Sequence, residues 1–286
     1  MTRTMMRDNL GSEQTSRWFS PNIWGDCPIE AILHGTVPGR FFQDDFTGPC
    51  PNTDAGLYEG AGESPGLGYL FYGDTGVTLK AEAAAEYGVV VVGGNDADND
   101  ESVMSTGSCA WNISDTAADA KKLWFEARFK KESVANNAIA EFVGLGWDHT
   151  TGTSVAVTTC LTANDADLGA FSFIGFHVDQ ADGDAMDFVY QADGGAQTVK
   201  IAGVDVREAD TYVKAGFVYD PHAPSTKRIK VFINNVEQTT YVTATNIAAA
   251  TFPDDEPLAM VWANKVGTNA AAKTAHLDWW RCCQLG

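Results

Sequence analysis

Leu123-Trp124-Phe125-Glu126-Ala127-Arg128-Phe129-Lys130 decides the fold class. Leu123, Phe125, Ala127 and Phe129 fall on one side of an extended chain. Trp124, Glu126, Arg128 and Lys130 fall on the other. This alternation is the period of a β-strand with one face in a core, and it does not suit a helix.

Working outward, the same period recurs. Phe142 to Trp147 sets Gly144 and Gly146 opposite Val143, Leu145 and Trp147, and Phe171–Val178 and Asp187–Tyr190 follow. Tyr212–Tyr219 places Val213, Ala215, Phe217 and Tyr219 together. Arg228–Ile233 runs into Asn234-Asn235, a tight-hairpin signal, and returns through Gln238–Val242. Phe41–Phe46, Tyr69–Tyr72, Val77–Ala81, Val89–Val92, Leu258–Ala263 and His276–Cys283 complete about a dozen short strands. AEAAAE at 81–86 has helix propensity but is too short to stand alone. No long helix and no internal repeat emerges, so the expectation is an all-β antiparallel sandwich over residues 41–286. Residues 1–40 show no sustained period and are expected to form an irregular N-terminal arm with a short helix at Pro28–Leu33. Trp18, Phe19, Ile23 and Trp24 give that arm its apolar anchors. They dock either on a partner or on the chain's own domain.

Charge separates the two parts. The arm balances Arg3, Arg7, Arg17 and Arg40 against Asp8, Glu13, Asp26 and Glu30, so the whole −19 resides in the body. Such a field disfavours nucleic acid and anionic membranes as partners. It favours solubility, an exterior that resists sticking, or a basic partner. The longest apolar run, Gly88–Gly94, is too short to span a bilayer. The six cysteines at 27, 50, 109, 160, 282 and 283 contain no C-x-x-C pair, and Cys282 and Cys283 point to opposite faces of a strand. With no signal-peptide pattern, the expectation is a chain made in a reducing cytoplasm with its thiols reduced.

Three stretches carry a resemblance: Leu123–Phe129; Tyr212–Asp220 with Lys230–Val236; and His276-Leu277-Asp278-Trp279-Trp280-Arg281. In this order they resemble the concanavalin A-like lectin/glucanase superfamily, including laminin-G-like domains. That resemblance implies a concanavalin A-like jelly roll. The acidic, Ala/Gly/Thr/Asn-rich body behind an N-terminal arm also resembles virion proteins of tailed bacteriophages. It implies a structural protein on the capsid surface, a decoration or cement protein, whose arm grips the major capsid protein or another virion protein. Such proteins are often homo-oligomers, including trimers. The alternative is a lectin-like module of a tail fibre or surface protein, with a glycan as partner.

Enzymes of the superfamily carry several carboxylates on one strand, aimed into one cleft. Glu126 lies on the matching strand, but its neighbours two away are Trp124 and Arg128, so no catalytic residue is assigned and a surface ion pair is the favoured role. No zinc-hydrolase, nucleophile-elbow or phosphate-loop pattern occurs. Asp96, Asp98 and Asp100 have the spacing of the first ligands of a calcium loop, but Glu101 replaces the turn glycine and Gly107 the bidentate glutamate. An acidic turn is therefore favoured over a metal site. Asp179, Asp182, Asp184 and Asp187 form a second acidic loop of the same kind. Trp147 with Asp148 and His149 could stack and hydrogen-bond a sugar, as could Trp111 with Asn112. A core role for these tryptophans is favoured.

Overall fold

The computed structural model describes residues 18–47, 62–63, 69–74, 77–82, 88–93, 98–106, 108–116, 120–147, 160–162, 168–268 and 274–286. Two short helices come first, α1 (Pro21–Trp24) and α2 (Ile29–Leu33). Strands β1 (Gly39–Asp44), β2 (Gly62–Glu63), β3 (Tyr69–Gly73), β4 (Thr78–Ala81), β5 (Val90–Gly93) and β6 (Glu101–Thr106) follow. Next are β7 (Leu123–Lys131), β8 (Ile139–Trp147), β9 (Ser172–Val178), β10 (Ala185–Gln191) and β11 (Thr198–Val206). The chain closes with β12 (Val213–Tyr219), β13 (Ile229–Ile233), β14 (Val236–Glu237), α3 (Ala244–Ile247), β15 (Ala259–Val266) and β16 (Ala275–Leu285).

The strands form two antiparallel sheets. The first runs β14-β13-β12-β7-β16-β5-β4, and β1 also pairs β16, beyond the stretch that β5 occupies. The second runs β11-β10-β9-β8-β15-β6-β3-β2. Alternation puts Phe125, Phe129, Phe217 and Trp280 of the first sheet against Phe176, Phe188, Met260 and Trp262 of the second. The Phe125–Phe217 and Phe176–Phe188 rings lie 5.2 and 5.3 Å apart between centroids. At one end of this core, Glu141 accepts from Arg207 at 3.2 Å and from the Trp262 indole at 3.2 Å, and Lys131 donates to Ile139 O at 3.0 Å. Burial drives the Lys131 ammonium down to about 7.

Both outer faces are covered, which is unusual for an antiparallel sandwich whose outer faces can meet water. On the second sheet, Phe142, Phe173, Val189, Val261 and Ala263 pack beneath Cys160, Leu161, Leu168 and Phe171. Gly144 and Gly175 make this possible. A Cβ on Gly144 would lie 2.3 Å from Ile174 O and 2.9 Å from Phe142 Cζ, so the Phe142 ring fills the space a side chain would take. On the first sheet the cover is the N-terminal arm.

Several expectations shift. In the arm, α2 falls on the expected short helix at Pro28–Leu33, and α1 is an additional turn of helix. These are too short to be stable alone and are held by packing. The first strand starts at Gly39, two residues before the expected boundary, because Gly39 and Arg40 already pair with Leu285 and Gln284. Sequence patterning misses β6, because Glu101, Ser102, Ser105 and Thr106 are buried polar residues that leave neither alternation nor an apolar run. It also misses β11, a mostly exposed edge strand interrupted by Gly203 at φ +57°. The Asn234-Asn235 hairpin is present with φ of 47° and 68°, the left-handed pair a two-residue turn requires. The 81–86 stretch lies largely outside the described residues. Among the described residues, no helix is long and apolar enough to cross a membrane.

Candidate functional site

Glu126, the carboxylate weighed in the sequence, lies on the outer face of the first sheet. From β7 this face receives Trp124, Glu126 and Arg128, from β12 Lys214 and Gly216, and from β16 Trp279, Arg281 and Cys283. Cross-strand register sets Glu126 between Gly216 and Arg281. A bulge between Leu277 and Trp279 turns Asp278 into this layer, where it pairs with Arg128. The Arg128 guanidinium lies 3.9 Å from the Tyr212 ring centroid.

The arm closes over this surface. Pro21 begins α1 at a position where its missing N–H costs nothing. The helix delivers Ile23 and Trp24, 2 % and 6 % exposed, onto the sheet. Ile23 enters the notch left by Gly216, where a Cβ would lie 2.7 Å from Ile23 Cδ1. The Trp24 indole donates to Glu126 Oε2 at 2.6 Å, and Ser20 N approaches the same oxygen at 3.5 Å. Phe19 stacks on Arg281 at 3.8 Å, opposite Trp279 at 3.9 Å. Asp26 accepts from Lys122 at 2.5 Å and from the Trp124 indole at 2.9 Å. Asn22 pairs with Asn235 at the hairpin tip through bonds of 2.8 and 2.7 Å.

Glu126 is fully buried by this cover. Burial raises its carboxyl above the usual range, against the opposing pull of Arg281, the Ser20 and Trp24 donors and Lys214. Its Oε1 finds no hydrogen-bond partner among the described residues. The positions two away on β7 and directly across on β12 and β16 hold no carboxylate. Glu126 therefore has no acid on the nearest strand positions, Asp278 is tied to Arg128, and the arm leaves no open approach to Glu126.

The anticipated arm anchors divide. Phe19, Ile23 and Trp24 meet the chain's own sheet, whereas Trp18 is 76 % exposed. Trp147 is half-buried and packs on the main core; Asp148 and His149 lie outside the described residues. Asp98 and Asp100 flank the turn into β6, with Asp100 O accepting from Val266 N at 2.9 Å, and Asp96 lies outside the described residues. Trp111 is buried, and its backbone bridges to Leu258.

Two features escape sequence reading because their residues are far apart in the chain. One is a cleft of ≈ 530 Å³ at a rim of the sandwich, with Arg40, Lys121, Asn112, Asp255 and Gln284 among its walls. Gln284 and Asn112 fix each other there, through Gln284 Nε2 to Asn112 O at 2.6 Å and Asn112 N to Gln284 Oε1 at 3.2 Å. The other is Asp115, Asp254 and Asp255, whose carboxylate oxygens lie within 4.8 Å of one another. Burial and then its acidic neighbours raise the Asp254 carboxyl.

On the second sheet, the buried Glu101 carboxylate accepts from Cys160 N and Leu161 N at 2.6 and 2.8 Å, while Lys265 donates to Leu161 O at 2.8 Å. These bonds pin residues 160–162 over that face. Burial pushes Glu101 up to about 7 despite Lys265.

The architecture can be compared with solved structures. A protein of unknown function from Shewanella oneidensis MR-1 matches with a TM-score of 0.52 at 13 % identity, over 90 % of this chain and 94 % of that one. Peanut lectin, solved with a 9mer peptide, matches with a TM-score of 0.52 at 11 % identity, over 86 % and 97 %. The fold is a concanavalin A-like sandwich. A Bacteroides ovatus mixed-linkage-glucan GH16 protein in complex with its product also aligns, with a TM-score of 0.48 at 11 % identity over 84 % and 98 %. No protein-family model and no curated protein sequence matches this chain.

Proposed function

We propose that this chain is a non-enzymatic structural protein of a bacteriophage virion, a capsid decoration protein that displays a concanavalin A-like sandwich. The observation that carries the non-enzymatic part is the sealed face. Glu126 is buried beneath the chain's own arm with no carboxylate two away on its strand or directly across from it, and the other acid of this layer, Asp278, is paired with Arg128. The acidic exterior and covered sheets suit a body that stands in solvent without sticking. The partner in this reading is the major capsid protein or another virion protein, and trimers fit the reading. Because Phe19, Ile23 and Trp24 are engaged within the chain, this reading assigns attachment to the sequence ahead of them. Mass spectrometry of purified virions tests the location. A chain lacking residues 2–17 should keep its melting temperature and lose attachment to shells; normal decoration by that variant would refute the proposal.

A second reading is a lectin-like carbohydrate-binding module. It is supported by the fold and by the rim cleft with its Asn, Gln, Asp, Arg and Lys walls. A glycan array separates the two. Specific hits abolished by Asn112→Ala favour the lectin reading, and a blank array favours the structural one.

A further inference from the structure

Two thiols meet where the arm crosses the sheet. Cys27 follows Asp26, whose carboxylate accepts the Trp124 indole N–H at 2.9 Å. Cys27 N bonds Trp24 O at 3.1 Å, and the Trp24 ring packs edge-on against Phe41 at 6.4 Å. On the sheet, Cys283 is the cross-strand partner of both Trp124 and Phe41. Asp26, next to Cys27, and Trp24, three residues before it, therefore sit on Trp124 and Phe41, the cross-strand neighbours of Cys283. Consistent with this, the two cysteines share one apolar cluster.

We propose that Cys27 and Cys283 form an intramolecular disulfide that locks the arm onto the first sheet under oxidising conditions. The step balances with a small-molecule disulfide such as glutathione disulfide as oxidant. The Cys27 sulfur, which is half-buried, attacks it as the thiolate, releasing one glutathione and forming a mixed disulfide. The fully buried Cys283 then attacks the Cys27 sulfur as its own thiolate, expelling the second glutathione. Two electrons pass to the oxidant, and each cysteine gives up its proton. The neighbouring Cys283 thiol and then burial raise the Cys27 thiol well above its ordinary range, so little thiolate is present and the reaction is slow. Cys282, although adjacent in sequence, lies in the inter-sheet core on the opposite face, so it does not compete.

The lock acts on the segment that seals Glu126. In a reducing environment the arm is held by non-covalent contacts and can lift. After oxidation it cannot lift without unfolding the sheet. A chain made in a cytoplasm and then released from it would thus be closed after assembly.

The test uses the full chain, folded and reduced, incubated with glutathione disulfide at pH 8 and then alkylated and mapped by mass spectrometry. A Cys27–Cys283 cross-linked peptide in monomeric protein, at least tenfold more abundant than any other pairing, is expected. Hydrogen exchange at arm amides should slow at least tenfold on oxidation and be unchanged in Cys27→Ser. Alkylation of both cysteines in the oxidised, folded sample would overturn the proposal, as would a dominant different pairing or a dominant intermolecular bond.

Discussion

Replacing Trp24 by alanine should release the arm while leaving the sandwich folded. Trp24 is 6 % exposed. A buried indole of about 200 Å² contributes about 5 kcal/mol at about 25 cal/mol per Å², and large-to-Ala changes of this kind cost about 3–5 kcal/mol in measured cores. The lost bond to the Glu126 carboxylate adds about 1.5–3 kcal/mol, although the two contributions overlap. The remaining anchors are weaker. Ile23 burial is worth about 1.5–3 kcal/mol. The Lys122–Asp26 pair, with Asp26 largely exposed, is worth less than about 1 kcal/mol. A loss of about 4 kcal/mol therefore removes most of the docking energy, and local opening precedes global unfolding. Hydrogen exchange is the direct assay, with arm amides such as Cys27 N expected to lose protection by about a thousandfold. Trp24→Phe keeps the ring and drops the bond, and should lose about tenfold, for about 1.5 kcal/mol. Protection in Trp24→Ala within threefold of wild type, or a larger loss in Trp24→Phe than in Trp24→Ala, would refute the account of how the arm is held.

Three further expectations follow from the same geometry. Glu101 is raised from 4.5 to about 7, so it contributes stability that is fully present below pH 4.5 and is lost as pH rises through 7. Over that window the wild type should lose up to about 3 kcal/mol relative to Glu101→Gln in urea melts. His177, pushed down to about 4, works in the opposite sense in both proteins and cancels in the comparison. Parallel pH profiles for the two proteins would contradict the burial of an ionisable Glu101. Gly144→Ala should destabilise by about 3 kcal/mol, because the new Cβ would meet the Ile174 carbonyl at 2.3 Å and the Gly175 Cα at 2.7 Å, neither of which can move aside cheaply. A loss below 1 kcal/mol in denaturant melts would show that the two strands are not so close. Asn235→Gly should keep the hairpin but weaken arm protection about fivefold through the lost bond to Asn22 N. Asn235→Val should also strain the turn at φ 68° and cost about 2 kcal/mol of global stability.

The strand pattern was readable because alternation at Leu123–Phe129, Val213–Tyr219 and Ile229–Ile233 reports a sheet with one face in a core. It failed where most of the buried positions are polar, as at Glu101–Thr106, or where an edge strand has little to bury, as at Thr198–Val206. Glu126 illustrates the harder limit. Between Trp124 and Arg128 it reads as a surface residue, and the segment that buries it lies about a hundred residues earlier. A signal was nonetheless present: Gly216 stands where a side chain would fit an ordinary exposed face, and the arm supplies Ile23 and Trp24 at the density of a core. Neither the rim cleft nor the Asp115–Asp254–Asp255 trio has a local pattern, because each is assembled by loops that only the completed sandwich brings together.

The placement of β16 has a consequence for how the chain emerges during synthesis. Residues 275–285 form the strand between β7 and the β1–β5 edge, so the middle of the first sheet is missing until residues 1–274 have all been made. Until then β1 has no strand partner among the described residues, the arm lacks Arg281 and Cys283 to rest on, and Trp124 and Glu126 lack their β16 neighbours. Such long-range pairing makes for slow folding and a period of exposed apolar strand. The high negative charge of residues 41–286 would keep nascent chains apart through that interval.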